Sequence, residues 1–163
     1  MGSGVKLIDP RSVGLRGLEL RRPLFDEATL VKADDTLTAL GQSMAPWLEA
    51  DLERLHATRL YAEAASWSFE ALDALMGAAH DLKGMGGTYG FPIVTRLAAS
   101  LCKLIETEAG KALAQKDPAL VCAHVDALRA AVRDGVQDTQ HPVGRALVSA
   151  LEEHVERLGV APR

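Results

Sequence analysis

The sequence is poor in aromatic residues and contains no long apolar segment. Phe, Trp and Tyr make up 4% of the 163 residues, whereas alanine and leucine are abundant. Because sheets rely on β-branched and aromatic side chains, this composition favours helices over strands. No apolar run approaches the ~20 residues that a transmembrane helix requires, and no N-terminal stretch resembles a secretory signal. We therefore predict a chain without a membrane span.

The sequence also lacks an excess of basic residues and has very few cysteines. The formal net charge is -4 at pH 7. Binding to nucleic acid requires a basic face, so the charge excludes nucleic acid as the main partner. Cys102 and Cys122 are the two cysteines, and both stand in apolar, helical contexts. We predict reduced thiols in a cytoplasmic protein rather than a disulfide framework.

Apolar residues recur at three- and four-residue steps from Phe25 onward, which predicts a series of amphipathic helices. The first is predicted to break or kink at Pro46, because proline removes a backbone hydrogen bond. Ser66 or Ser68 is predicted to cap a later helix that runs to about Thr88.

The sequence divides into two segments, only one of which shows helical periodicity of its apolar residues. Residues 1–23 show no clean periodicity and are punctuated by glycine, proline and arginine, which predicts a loosely ordered N-terminal arm. Residues 24–163 carry the helical pattern and should form one helical bundle domain. The connections between its helices are short, so neighbouring helices should be antiparallel. We therefore predict an all-α fold, an antiparallel up-and-down four-helix bundle with additional terminal helices.

Glycines crowd one helical segment, AHDLKGMGGTYGF, at residues 79–91. A glycine in a helix interior costs roughly 0.8–1 kcal/mol relative to alanine, so the cluster needs a reason. On a helical wheel one stripe is predicted to face the core: Leu72, Leu75, Ala79, Leu82, Gly86 and Tyr89. A second stripe, displaced by about 115°, is predicted to be exposed: His80, Lys83, Gly84 and Gly87.

The second stripe combines a nucleophile, a positive charge and cleared space. An ordinary imidazole titrates near pH ~6.5, so a neutral ring with a nucleophilic nitrogen is available at cellular pH. Lys83 can offset the charge of an anionic group, and Gly84 allows another molecule to approach the backbone. We predict that His80 takes up a negatively charged group such as a phosphoryl group.

At these residues the sequence resembles the histidine phosphotransfer (HPt) domains of bacterial phosphorelays. The family motif is H-x-L-K-G with a further glycine ten residues after the histidine. Here it reads His80-Asp81-Leu82-Lys83-Gly84, followed by Gly90. The resemblance extends through the next helix, FPIVTRLAASLCKLIE. It implies that His80 is phosphorylated, that Lys83 lies beside the phosphoryl group and that Gly84 admits the partner.

The sequence departs from the family at one position. Many members have a glutamine 22 positions after the histidine, where this chain has Cys102. A thiol is only a weak hydrogen-bond donor, so the role of this position stays open. The residues predicted to contact a partner lie on both helices: Gly84, Gly87, Thr88, Phe91, Thr95, Ala99 and Cys102.

The resemblance implies a phosphocarrier rather than an ATP-using kinase. A hybrid histidine kinase would load His80, and a response-regulator receiver domain would exchange the phosphoryl group with it. The chain would bind no cofactor and act as a monomer, while the receiver would supply Mg²⁺. No P-loop is present in the sequence. The remaining histidines, which we expect on the surface, have no second ligand at metal-site spacing: His56, His124, His141 and His154.

Two other functions remain as alternatives. The chain could be the dimerisation and phosphoacceptor half of a histidine kinase, for which Asp81 is the expected acidic neighbour of His80. However, Leu82-Lys83-Gly84 does not follow the Arg-Thr-Pro-like pattern of such kinases. The chain could also be a helical adaptor that binds a receiver without accepting phosphate.

Overall fold

The computed structural model describes residues 27–160, and the predicted N-terminal arm lies outside them. Within this range the secondary structure is entirely helical, which confirms the predicted fold class. None of the described helices is both long and apolar enough to span a membrane. Six helices are described: α1 Glu27–Ala64, α2 Phe69–Met85, α3 Pro92–Ile105, α4 Glu108–Lys116, α5 Ala119–Arg133 and α6 Pro142–Leu158.

The chain divides into two compact units between Thr38 and Ala39. Of the first unit, the structure describes the beginning of α1. The second unit contains the rest of α1 and all later helices, and it holds the hydrophobic core. From Leu48 onward α1 buries one side, with Leu48, Leu52 and Leu55 nearly inaccessible to solvent.

Polar contacts show how α1 runs against α2 in the second unit. Arg54 of α1 donates to Asp81 of α2 at 2.8 Å. The Tyr89 hydroxyl, in the loop after α2, donates to Asp51 at 2.8 Å. The contacts therefore pair a lower residue number on α1 with a higher residue number on α2 and in the loop after it. The two helices are antiparallel, as the short connection between them predicts.

The same reasoning places α5 on the other side of α1. Arg59 lies 3.8 Å from the Cys122 sulfur, and Arg129 lies 3.8 Å from the Glu53 carboxylate. This pairing also runs in opposite directions, so α5 is antiparallel to α1. Since α3 packs against both α2 and α5, the four helices α1, α2, α3 and α5 close the predicted up-and-down bundle.

The two other helices are added around α3. The short helix α4 packs against α2, α3 and α5, while α6 packs along α3 and α5. Arg96 of α3 holds Glu152 of α6 through two hydrogen bonds of 3.3 and 2.7 Å. The Thr107 hydroxyl donates to the Val160 carbonyl at 2.7 Å. In these two contacts the residue numbers increase in the same direction along both segments. Helix α6 therefore runs parallel to α3, outside the bundle.

Two local predictions have different outcomes. Ser68 caps α2, since its hydroxyl accepts the Ala71 amide at 3.3 Å. Of the break or kink predicted at Pro46, the break is wrong, because α1 continues through it; the kink stays a prediction. A proline removes one hydrogen bond of the helix ladder, and Pro46 is exposed, so its ring meets no core neighbour. The hydrogen bonds on either side are enough to keep the helix continuous.

One buried polar pair joins α3 to α5, and it corrects the expectation that His124 lies on the surface. The His124 side chain is fully buried, and its Nε2 lies 2.9 Å from the Ser100 hydroxyl. Its Nδ1 lies 2.7 Å from the Leu120 carbonyl. A carbonyl can only accept, so Nδ1 carries the proton and Nε2 accepts from Ser100. Burial lowers the pKa of His124.

Candidate functional site

Helix α2 has the two faces that the helical wheel predicts. The core stripe is buried along its whole length: Leu72, Leu75, Ala79, Leu82, Gly86 and Tyr89. On the second stripe His80, Gly84 and Gly87 are exposed, and Lys83 is half-buried. The imidazole is therefore accessible to another molecule, with the lysine beside it.

The end of α2 differs from the prediction. The helix ends at Met85 rather than near Thr88, so Gly84 is followed by a single α-helical residue. The chain continues in turns, with the Tyr89 amide bonded to the Met85 carbonyl at 3.0 Å. Gly90 has a φ of 79°, which only glycine adopts without strain. The glycine cluster thus ends the helix and turns the chain toward α3.

The glycines of this segment fall into two kinds. A Cβ on Gly86 would lie 2.6 Å from the Thr95 amide nitrogen, so the packing of the loop on α3 requires glycine there. A Cβ on Gly84 or Gly87 would meet no heavy atom within 4 Å. The fold itself therefore leaves room for side chains at Gly84 and Gly87. Because Gly84 and Gly87 have no side chains, the space beside His80 is open to another molecule.

A shallow groove of about 520 Å³ contains His80. It extends from Arg54 on α1, across Gly77, His80 and Lys83 on α2, to Cys102 on α3 and to Glu106, the residue after α3. Gly77 is exposed and lies three residues before His80 on the same stripe. Because Gly77 has no side chain, the α1 and α3 sides of the groove are continuous across α2.

Cys102, whose role the sequence leaves open, lines this groove. Its side chain is buried, with 6% exposure. Burial raises the pKa of the Cys102 thiol; nearby Lys83 opposes that shift, and Glu106 adds to it. The group is consequently a neutral thiol at cellular pH. It offers a small, weakly polar wall to the groove and does not compete with the imidazole as a nucleophile.

Of the other predicted contact residues, some are exposed and others hold the loop and the start of α3 in place. Thr88 is exposed next to Gly87. The Thr95 hydroxyl accepts the Gly87 amide at 3.1 Å, which ties the loop to α3. Ala99 is half-buried on the Cys102 flank of α3. Phe91 is half-buried and packs against the core, so it supports the start of α3.

Gly77 and Arg54 are among the groove residues that were not predicted from the sequence. Gly77 could have been found, since it continues the spacing of His80, Gly84 and Gly87 in the N-terminal direction. Arg54 gives no such signal, because it comes from another helix, 26 residues before His80 in the chain.

Arg54 belongs to a chain of polar contacts beside the groove. It bonds Asp81 at 2.8 Å and Asp51 at 3.2 Å, and Tyr89 donates to the same Asp51 carboxylate. Burial, together with this hydrogen bond to Asp51, raises the pKa of Tyr89, so the hydroxyl remains protonated. The contacts fix α1 against the part of α2 that carries His80.

The site has the parts of a covalent acceptor rather than those of a metal centre. In residues 27–160 no group of three or more His, Cys, Asp or Glu side chains could hold a metal ion. What the groove does offer is one exposed imidazole, one lysine and an open glycine surface. This arrangement can receive an anionic group delivered by another macromolecule.

Comparison with known proteins identifies a family. A family model described as Hpt domain matches residues 29–159. No curated protein and no solved structure matches the chain. The matched range includes every residue of the groove.

Proposed function

The chain belongs to the Hpt domain family, whose members act in histidine phosphotransfer within phosphorelays, and on this premise we propose that His80 carries the phosphoryl group. The observation that supports His80 is its position. It is the exposed histidine of α2, in a groove beside Lys83 and flanked by glycines that the fold does not require. Among residues 27–160 its side chain is exposed, so the ring is accessible to a partner.

The proposed step exchanges one bond to phosphorus for another. An unprotonated nitrogen of the His80 ring attacks the phosphorus of an aspartyl phosphate on a receiver domain. The N–P bond forms as the O–P bond to the aspartate breaks, and the carboxylate leaves with the bonding electrons. The same step can run in reverse.

The residues around His80 would support this step in different ways. The Lys83 ammonium offsets the negative charge of the phosphoryl oxygens as a point charge. Gly84 and Gly87 leave space for the receiver surface. The receiver's own acidic residues and Mg²⁺ would offset charge in the transition state, so this chain would need no bound cofactor.

The chain would act as a phosphocarrier, not as a kinase. Hpt domains interact with receiver domains and with kinases in phosphorelays, and we propose a hybrid histidine kinase as the source of the phosphoryl group. We further propose that the chain is a cytoplasmic monomer. Both cysteines are free, which agrees with a reducing compartment.

The alternative of a kinase dimerisation half receives less support. In such kinases two chains together build the four-helix bundle. Here α1, α2, α3 and α5 of a single chain form it. The adaptor alternative differs only in chemistry, so a phosphotransfer experiment separates it.

The test is incubation with phosphorylated receiver domains, followed by analysis for an acid-labile, base-stable phosphoryl group. We expect the wild type to acquire it and His80→Gln to acquire none. His154→Gln is the matched control, because His154 is also exposed but lies on α6. Failure of the wild type with every receiver and kinase tried would reject phosphotransfer. Phosphorylation of His80→Gln would reject the site.

A further inference from the structure

Two carboxylates line the groove around His80, and they differ in their surroundings. Asp81 is paired with Arg54 at 2.8 Å. Glu106, at the end of α3, is exposed. None of the ion pairs formed within residues 27–160 includes Glu106. The groove therefore has an unpaired negative charge at its α3 edge.

The energetics of α3 do not favour an acidic residue at position 106. The last carbonyl groups of a helix carry partial negative charge, so a carboxylate beside them is unfavourable and a cation is favourable. Glu106 is the residue that follows the last turn of α3 and still has helical backbone angles. Its charge therefore does not serve the stability of the helix.

The pairing of α2 with α3 sets the distance between Glu106 and the phosphoacceptor. The two helices are antiparallel, as their short connection requires, and the close approach of Gly86 to Thr95 marks where they are level. Counting six residues back along α2 and six forward along α3 puts His80 level with Leu101. Glu106 is five residues further, about 7–8 Å along the axis.

Lys83 and Glu106 both act on the Cys102 thiol, which lies in the same groove. Burial raises the pKa of this thiol, Lys83 lowers it and Glu106 raises it further. The ammonium and the carboxylate therefore share the α3 side of the groove, although they form no ion pair with each other. A phosphoryl group on His80 would attract the Lys83 ammonium, which would then no longer offset the charge of Glu106.

A receiver domain that docks on His80 would cover Glu106. A standard interface buries about 800 Å² on each partner, which corresponds to a patch of roughly 16 Å radius. A residue about 7–8 Å along the axis from its centre lies inside that patch. Covering a carboxylate without a counter-charge weakens a complex, whereas a facing cation offsets the loss of water. The carboxylate thus disfavours receivers with an apolar or acidic residue at that point.

We propose that Glu106 is a specificity-determining residue, which forms an ion pair with a lysine or arginine of the receiver domain. The receiver presents this cation about 7–8 Å from its phosphorylated aspartate. This inference rests on the proposed function, and it adds one chemical feature by which the partner is selected. Glu106 acts in docking and takes no part in the transfer of the phosphoryl group.

The test compares Glu106→Lys with Asp126→Lys for binding to a receiver that exchanges phosphate with the wild type. Asp126 is the matched control, because it is also exposed but lies on α5, which among the described helices does not pack against α2. We expect Glu106→Lys to weaken binding by about tenfold or more, and Asp126→Lys to change it by less than about twofold. Equal binding by the two variants would overturn the inference.

A charge swap separates pairing from a structural effect. Each exposed lysine and arginine on the docking face of the receiver is replaced in turn by glutamate. One of these receiver variants should bind the wild type poorly and bind Glu106→Lys more tightly than the unchanged receiver does. A structural defect in Glu106→Lys would not be rescued in this way. If no single replacement restores binding, the ion pair does not exist and the proposal is wrong.

Loading by a small donor separates this inference from the proposed function. Phosphoramidate, a small-molecule donor, should load His80 in Glu106→Lys at no less than the wild-type rate, because it needs no docking surface. Loss of that loading would mean that the variant damages the site itself, and it would overturn the role in docking. If receivers exchange phosphate equally with the wild type and Glu106→Lys, this inference alone fails. If no receiver exchanges phosphate with the wild type, the proposed function fails, and this inference fails with it.

Discussion

Replacing the glycines beside His80 should make the protein more stable and less active. Gly77 and Gly84 lie within α2, and a Cβ at either position would meet nothing within 4 Å. Alanine is favoured over glycine in a helix by about 0.8–1 kcal/mol. We expect this gain for Gly77→Ala and a smaller one for Gly84→Ala, because Gly84 is next to the last residue of the helix. The double variant should gain about 1–2 kcal/mol in the free energy of unfolding.

Phosphotransfer from a receiver should become slower as the side chain at position 84 becomes larger. Gly84→Gln retains the helix but fills the space beside His80, so we expect phosphotransfer from a receiver to be blocked. Gly86→Ala provides the structural contrast, because its Cβ would lie 2.6 Å from the Thr95 amide nitrogen. That variant should lose stability, whereas Gly84→Gln should not.

The assay pairs urea unfolding with the rate of transfer from a phosphorylated receiver. We expect Gly84→Gln to unfold at a urea concentration equal to or above that of the wild type while its transfer rate falls at least tenfold. Loading by phosphoramidate should survive, since that donor is small. Unimpaired transfer by Gly84→Gln would refute the reasoning that these glycines clear space for a partner. A loss of stability in Gly77→Ala would refute the claim that the fold leaves them free.

Three further predictions concern single side chains. Because burial lowers the pKa of His124, the unfolded state binds the proton first on acidification. The contribution of His124 to the free energy of unfolding is complete above about pH 6.5 and is lost as the pH falls, with a slope approaching about 1.4 kcal/mol per pH unit. His124→Gln should flatten this pH dependence of stability, measured by urea titrations, and an unchanged slope would contradict the assignment. Tyr89→Phe removes the hydrogen bond to Asp51 and should cost about 1 kcal/mol of unfolding free energy, with no change in phosphoramidate loading; wild-type stability would show that this bond contributes nothing. Lys83→Gln should slow phosphotransfer while leaving the circular dichroism spectrum unchanged, and a wild-type rate would exclude Lys83 as the counter-charge.

The faces of α2 could be predicted because a helix converts spacing into direction. Leu75, Ala79 and Leu82 recur at three- and four-residue steps, so the core side follows from the sequence. His80 falls off that side by the same rule. The same argument was available for His124, which stands between the buried Val121 and Leu128 at three- and four-residue steps. The prediction that His124 lies on the surface relied on its being a polar residue and did not use its position on the helical wheel.

The residues that the sequence did not reveal depend on tertiary packing. Arg54 reaches the groove because α1 lies antiparallel to α2, and no local spacing encodes that pairing. The effect of Pro46 likewise depends on its surroundings: in an exposed position one missing hydrogen bond did not end the helix. The helix α2 ends at Met85, and the next residue, Gly86, approaches α3 so closely that a Cβ there would lie 2.6 Å from the Thr95 amide nitrogen.

The central claim is that His80 is the residue that carries phosphate. The most direct measurement is the position of the phosphoryl group after reaction with a phosphorylated receiver, determined by mass spectrometry of peptides prepared at alkaline pH. We predict one phosphohistidine, in the peptide that contains His80, and none in the His80→Gln variant. A phosphoryl group on His56, His141 or His154, or none on any histidine, would contradict the account.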